Sequence, residues 1–549
     1  MVLKSSRADW LIVLFLIIAI LKINLRLASI VDIDGTDETE YLGIALAIPR
    51  AGLPHAGSET FFAPLYSLWY FLLSRFQSNP VALIDLNFRI MAVLLPVCFY
   101  AVLRGMKCSV IAAGIASFYL ACHSLSIIPP SRSTHFALIL LLAGIWFALS
   151  VRGPVVQWCI LAGAAMLASF ARPELAILAA SMTAVLAFVC AKSWARMGRR
   201  EWLSIAVMVS FFALLVCGFG PPIGGGNNRS FTAFSQHFAV GYLLRNSDAN
   251  LSGLEPFQDA GVVTEKVFGP VTTVGAALRA NPSAFLNHLV SNFKHLAAQC
   301  IPTILQHRNF LLPDGRRTAL VENALIVIGL IALGSVGWRD VVVNCRQVLT
   351  EYPALVGFCV LLVGVTWFGI LLTSFTERYF FPTVIVAILF TAILLDRKST
   401  REHALVRHPH PVYQFLAAGI IIVGLAPATS LYETGYLPIR SALALVANLH
   451  VREKTGYVDF LGTASGRMNL FLRDGMFFVH PVEKSGGFFD FLARRNIGVI
   501  HSTPYMMAWG QMARDTEWKE FVATPEKFGF EATPMPFHDV LYVKKAILQ

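Results

Sequence analysis

The sequence predicts a polytopic α-helical membrane protein of about eleven transmembrane helices, followed by a small C-terminal α/β domain on the extracytoplasmic side. Three observations predict it. Hydrophobic residues make up 56% of the chain and charged residues 14%, with a mean hydropathy of +0.63, a balance that an ordinary soluble domain does not carry. Apolar segments long enough to cross a hydrocarbon core recur from Trp10 to about residue 430. Beyond residue 430 the pattern changes to short β-prone runs alternating with helical stretches.

A helix satisfies its own backbone amides where water is absent, and about 20 apolar residues span the core. By that rule spans fall at 10–31, 85–104, 108–128, 136–151, 155–172, 174–191, 202–220, 319–337, 354–373, 380–396 and 414–430. The first stays as an anchor, because no small-residue cleavage site follows it. Lys4, Arg7, Arg104, Lys107, Arg152, the run Lys192 to Arg200, Arg339, Arg346 and the stretch Arg397 to Arg407 then share one side. Lys and Arg are retained in cytoplasmic loops, so that side, with the N-terminus, is read as the cytoplasm. Residues 1–430 form the membrane domain, with outer loops 32–84 and 221–318, and residues 431–549 form the outer α/β domain.

The net charge of +11 follows from this topology and also suits a surface that meets anionic lipids; it gives no support for nucleic-acid binding. The nine cysteines are scattered, Cys300 alone lying clearly outside the spans, in neither a disulfide framework nor a zinc spacing. Lys22 and Arg26 stand one helical turn apart near the outer end of the first span. Snorkelling to the interface and contact with an anionic group in a polar cavity are both open for them.

The breaker-rich stretch 220–228 opens the second outer loop. Phe231 to Leu244 and Pro282 to Leu296 follow at helical spacing, too interrupted by Asn, His and Lys to cross a bilayer, and are expected to lie along its surface. Segment 61–76 is expected to be interfacial. In the tail, Tyr457–Leu461, Met476–Val479, Ile497–Ile500 and Val540–Val543 read as strands and Phe488–Arg495 as a helix. The glycine-bounded turn from Gly462 to Gly466 lacks the Gly-Lys-Ser/Thr core of a phosphate loop.

The densest chemistry lies in Asp32-Ile33-Asp34-Gly35-Thr36-Asp37-Glu38-Thr39-Glu40-Tyr41, directly after the first span. An acidic run often does no more than solvate a loop, but here Leu42 to Ala45 continue it as an apolar stretch that would seat a short amphipathic helix on the membrane. Asp32 and Asp34 are expected to cap that helix. Glu40, at helical spacing from Asp37, would share its face. Further polar groups recur at predicted outer span ends: Asn87-Phe88-Arg89, Arg132-Ser133-Thr134, Ala171-Arg172-Pro173-Glu174 and Glu377-Arg378-Tyr379.

In this order the motifs resemble those of the GT-C superfamily of integral-membrane glycosyltransferases, over residues 1–430, and most of all the branch of protein O-mannosyltransferases and lipid A aminoarabinose transferases. The resemblance implies a GT-C-like fold and transfer of a sugar, with inversion, from a polyprenyl-phosphate donor to an acceptor hydroxyl on the outer side. It places the catalytic acid at Asp37, with Glu38 next. His135 stands where related enzymes often carry a second acidic residue; an imidazole could accept a proton or, when charged, contact phosphate.

Arg172 and Arg378, at outer span ends, are the preferred phosphate ligands, since a carrier phosphate lies at headgroup level. Arg89, Arg132, Lys294 and His295 are secondary, each with the alternative of anchoring its helix to lipid. Tyr41 and His237 complete the substrate-binding set. No cofactor beyond the lipid-linked donor and no metal is expected. The partners expected are membrane lipids, the donor, and a glycolipid, polysaccharide or protein acceptor. Lipopolysaccharide core, lipid A, a cell-wall polysaccharide and protein hydroxyls all stay open as acceptors. The expected location is a bacterial inner membrane with the tail in the periplasm. A flippase or transporter of lipid-linked sugars is the rival class; it predicts internal repeats, and none is evident between the halves of this chain.

Overall fold

The computed structural model describes residues 7–24, 32–33, 37–53, 63–127, 132–222, 229–246, 254, 259–305, 338–396, 438–449, 451, 454–459, 466–472, 474–479, 486–503 and 515–548. Helices dominate, and six are long and apolar enough to cross a membrane: Pro80–Gly105, Ser133–Ser150, Pro173–Arg196, Arg199–Phe219, Pro353–Leu372 and Glu377–Leu394. Several of the eleven expected spans are therefore present as helices of a multi-pass membrane protein. The spans expected at 319–337 and 414–430 lie outside the described residues. Two others, α5 (Val110–Cys122) and α8 (Pro154–Ser169), are shorter than expected, while α1 (Arg7–Ile23) covers the start of the first expected span, whose residues 25–31 lie outside the described ones. The third expected span breaks at His123, where α5 gives way to the four-residue α6 (Ser124–Ile127).

Around these run α4 (Pro80–Gly105), α7 (Ser133–Ser150), α9 (Ala176–Ser193), α10 (Arg199–Phe219) and, late in the chain, α16 (Pro353–Leu372) and α17 (Glu377–Asp396). Local chemistry sets their starts. Asn79 accepts from the Ala82 N–H ahead of Pro80, which needs no donor at a first turn. Ser109 caps α5 in the same way. The bundle packs tightly where side chains vanish: a Cβ on Gly144 of α7 would collide with the Cβ of Ala164 on α8. Small residues of this kind let helix backbones approach closely when no water drives them together.

Polar bonds gather at both ends of the bundle. At one end the Asp9 carboxylate accepts from Tyr100 Oη at 2.8 Å and Arg104 Nε at 2.6 Å. There too the Asp396 carboxylate accepts the N–H and hydroxyl of Ser109 at 2.6 and 2.7 Å, which ties the last residue of α17 to the cap of α5. α15 (Trp338–Glu351) packs nearby, with Asn344 Nδ2 donating to the Leu394 carbonyl at 2.9 Å. The opposite end carries α2 (Asp37–Ala51), α3 (Pro64–Leu73) and the helices of the second loop.

Those loop helices are α11 (Arg229–Arg245), α12 (Ala260–Phe268), α13 (Val274–Ala280) and α14 (Pro282–Leu305). Where surface helices are expected, they form a small core of their own: Phe234, Phe238, Val263, Phe268 and Phe285 pack together, with Leu372 of α16 against them. α14 is moored to the bundle by Asn292, whose Nδ2 donates to the carbonyls of Leu371 and Thr373, each at 2.9 Å. Its opposite face leaves Leu286, Val290 and Phe293 exposed. α2 also departs from expectation. Glu38, Thr39, Tyr41, Leu42, Ile44, Ala45 and Ile48 are buried, so the helix is packed inside protein rather than laid on a membrane by one apolar stripe.

The tail is a five-stranded mixed sheet in the order β2-β1-β3-β5-β4, with β1 (Thr455–Asp459), β2 (Met476–Val479), β3 (Ile497–Ser502), β4 (Phe530–Pro534) and β5 (Val540–Lys544). β1 pairs in parallel with β2 and β3, and β5 pairs antiparallel with β3 and β4. Val458, Val479, Ile500 and Tyr542 turn to α19 (Phe488–Arg494) and α20 (Thr516–Ala523) over Phe488, Phe491, Trp518 and Phe521. Tyr457, Val499, Leu541 and Val543 belong to the core that continues into the bundle. All four expected strands and the helix are present. β4 is the addition, an edge strand whose Glu, Thr and Pro give it no apolar alternation.

The tail is fastened by α18 (Pro438–Val446). Asp32 accepts the backbone N–H groups of Ile439 and Arg440, each at 2.9 Å, and Arg440 grips Asp85 with two nitrogens, at 2.5 and 3.3 Å. Asp32 thus caps α18 rather than α2, because its carboxylate meets the positive end of that later helix. Burial holds its carboxyl above the ordinary aspartate value, a rise that the two N–H bonds lessen. Asp34 and Arg26 lie outside the described residues, as do Gly462 to Ser465.

Candidate functional site

α2 begins at Asp37, so three acids fall in its first turn, where the N-terminal dipole favours negative charge. Consecutive helical residues are about 100° apart, and Asp37 and Glu38 consequently enter different surroundings. The Asp37 carboxylate meets Arg378 Nη1 at 3.3 Å, with side-chain exposures of 24% and 29%, which leaves both groups reachable from outside. Glu38 is fully enclosed.

Around Asp37 the structure assembles residues far apart in the chain. Arg378 stands in the first turn of α17, its guanidinium 5.1 Å from the centre of the Tyr379 ring. Arg172, at the turn after α8, lies over the same ring at 5.4 Å. Two guanidinium groups thus lie near one aromatic ring, whose π-face attracts each of them, and their N–H groups are engaged within the protein, with Arg378 Nη2 donating to Tyr379 Oη at 3.4 Å. Arg172 Nη1 donates to Ser133 Oγ at 3.3 Å and Nη2 pairs with Glu174. Asp37 and Tyr41 both lie close enough to act on the Arg172 charge.

The second loop closes the third side. His237 of α11 shares a 2.7 Å hydrogen bond with the Ser374 hydroxyl and meets the Tyr379 ring edge-on at 6.2 Å. Burial, then the neighbouring Arg378 and His288 charges, lower its pKa to about 4, so the ring is neutral at pH 7. His288, from α14, faces the Leu372 carbonyl at 3.2 Å. The segment 371–376 that leads into Arg378 is thus held by α11 and α14 together.

Of the residues singled out in the sequence, Asp37, Arg172, Arg378, His237 and Tyr41 gather here. Arg132 and His135 do not. They sit deeper, both wholly buried, with Arg132 Nη1 donating to the Ser126 carbonyl at 2.7 Å and facing His135 Nε2 at 2.9 Å. A guanidinium can only donate, so the His135 nitrogen accepts. The charged, phosphate-contacting form is thereby at odds with the bond His135 makes. Arg89, Lys294 and His295 are exposed, the last with its ring 5.3 Å from Phe375.

Glu38 belongs to the buried cluster. Its Oε1 accepts from Tyr66 Oη at 2.6 Å, from Tyr70 Oη and from Asn87 Nδ2 at 3.2 Å; its Oε2 accepts the Arg132 N–H at 3.0 Å. Burial and the Glu38 charge hold both phenols well above the ordinary tyrosine value, so they stay protonated donors. Tyr66, Tyr70 and Ser374 were missed in the sequence, and Tyr379 stood there only as part of the Glu377-Arg378-Tyr379 motif, without a role of its own. Tyr66 and Tyr70 carried one signal, a polar pair at helical spacing in an otherwise apolar helix.

Chemically, the Asp37 carboxylate can accept a proton, and the two guanidinium groups beside Tyr379 can bind an oxyanion. Among the described residues no group of three or more His, Cys, Asp or Glu side chains is placed to hold a metal ion. No protein-family model matches the chain, and no curated protein matches it.

Proposed function

We propose that this protein is an integral-membrane glycosyltransferase of the GT-C type, transferring a sugar with inversion from a polyprenyl-phosphate donor to an acceptor hydroxyl on the outer side of the membrane. The observation that carries this reading is the meeting of Asp37 with Arg172 and Arg378 at one end of an apolar helical bundle. A headgroup-level phosphate needs cations at that depth, and an acceptor hydroxyl needs a carboxylate beside it.

In the mechanism, Asp37 takes the hydroxyl proton as the acceptor oxygen bonds to the anomeric carbon. The bond from that carbon to the phosphate oxygen breaks on the opposite face, and its electron pair leaves with the carrier phosphate. Arg172 and Arg378 meet the charge that develops there. Arg172 is held by Ser133 and Glu174 and Arg378 by Asp37 before the donor arrives, so little reorganisation is required. His237, neutral and bonded to Ser374, holds the approach to Arg378 without adding charge. The acceptor is a glycolipid, polysaccharide or protein hydroxyl, and the tail domain stands beside α2 on the same outer side.

The test is turnover of a panel of polyprenyl-phosphate sugars by the full chain in bilayers, with a membrane glycolipid extract as acceptor source. Wild-type transfer reduced about 10²–10⁴-fold in Asp37→Asn, with the protein still folded, supports the reading. Movement of the lipid between leaflets without any transfer would replace it with a flippase.

A further inference from the structure

The fold treats its two adjacent carboxylates oppositely, and the enclosed one has reach. Four donors on Glu38 come from three places: Tyr66 and Tyr70 on α3, Asn87 on α4, and the backbone of Arg132 just ahead of α7. Asn87 is itself fixed by Trp69 Nε1 at 2.8 Å and donates to Tyr66 Oη at 2.6 Å. A fully enclosed carboxylate with charge-assisted bonds from several elements has one position available to it. Fixing Glu38 fixes the rotation of α2, and with it the direction in which Asp37 leaves the helix.

The same carboxylate acts on the other arm of the site. Arg132 is directly followed by Ser133, whose hydroxyl receives Arg172. Holding the Arg132 N–H therefore holds the residue on which Arg172 rests. Tyr41 joins the two arms, its ring edge-on to Tyr66 at 5.1 Å and near enough to Arg172 to act on its charge.

We infer that Glu38 is a positioning residue that sets both the Asp37–Arg378 pair and the Arg172 arm, with Tyr66 and Tyr70 as its clamps. The kinetic consequence rests on the transferase reading above; the geometric one does not. The test has an arm for each.

In the first arm, Asp37→Cys in the full chain is alkylated with a maleimide and read peptide by peptide by mass spectrometry. A thiol beside Arg378 is partly ionised and reacts fast. Adding Tyr66→Phe and Tyr70→Phe together is expected to slow alkylation at position 37 by about fivefold or more, while the buried Cys108, Cys159 and Cys359 stay unreactive. An unchanged rate at position 37 overturns the proposal. If the buried cysteines open, each single phenylalanine variant, which removes one hydroxyl, is read instead, and an unchanged rate in both overturns it equally.

In the second arm, Glu38→Gln is expected to lower kcat about 20- to 100-fold by misplacing the base, while the acid limb of the pH–rate profile, which reports Asp37, stays in place. Loss of that limb in Glu38→Gln would make Glu38 the base and overturn the positioning role. Absence of transfer by the wild type would remove the transferase reading and leave the first arm to decide.

Discussion

A bidentate pair of hydrogen bonds to an anion needs a planar fork, which an ammonium cannot supply. Arg172→Lys and Arg378→Lys are therefore expected to lower kcat/KM for the donor about 10- to 100-fold, with donor KM rising. Steady-state kinetics across donor concentrations check this: a rise in KM reports contact with the bound phosphate, a fall confined to kcat reports contact made as its charge develops, and no change in either argues against phosphate contact. His237 supplies a prediction in pH. Its folded pKa of about 4 lies below the ordinary histidine value of about 6.5, so the unfolded chain binds more protons between those limits. The stability contributed by the neutral ring is fully present above about pH 6.5 and is lost as pH falls toward 4, at up to about 1 kcal/mol per pH unit. Thermal melts of the solubilised protein from pH 7 to pH 4.5 should show this slope, and His237→Gln should flatten it.

Where α7 and α8 cross, the absence of a side chain at Gly144 permits contact between backbones. Gly144→Leu is expected to cost about 1–3 kcal/mol by overpacking. Gly144→Ala combined with Ala164→Gly should recover most of the loss of the single alanine variant, because the second change vacates the space the first one fills. Melting temperatures of the three variants decide it. Element type was legible here for physical reasons: a 3.6-residue apolar pattern and a 2-residue one differ strongly, so Phe488–Arg494 and Met476–Val479 could be located in the sequence. β4 could not, since an edge strand carrying Glu531, Thr533 and Pro534 has no buried face to announce it. Nor could the fate of α2. Its apolar residues look the same whether a membrane or a protein interior covers them, and Tyr66 and Tyr70 supply the difference.

The whole molecule is held at one end by contacts between its beginning and its end, and these were not legible. The sequence marks Asp32 as acidic and Arg440 as basic, but pairing over such distances has no local signature. The resemblance pointed to Asp37 and the outer span ends pointed to Arg172 and Arg378, but nothing in the sequence indicated that Tyr379 would lie beside both arginines. If α18 fastens the tail, Asp32→Ala should cost about 1 kcal/mol and release the tail faster under limited proteolysis, with Arg440→Ala behaving alike. Equal cleavage rates in wild type and variants would show that the sheet's apolar face alone holds the tail.

The cap on α18 also has a history within each molecule. Asp32 and Ile439 are separated by 407 residues, so at about 5–20 residues per second the carboxylate emerges roughly 20–80 s before its partner amide exists. During that interval the N-terminal loop and the start of α4 are present without the helix that later joins them. The terminal stages of biogenesis therefore seal the Asp32 end of the bundle, and a ribosome halted before Pro438 yields a chain whose Asp32 and Asp85 still lack the helix that latches them.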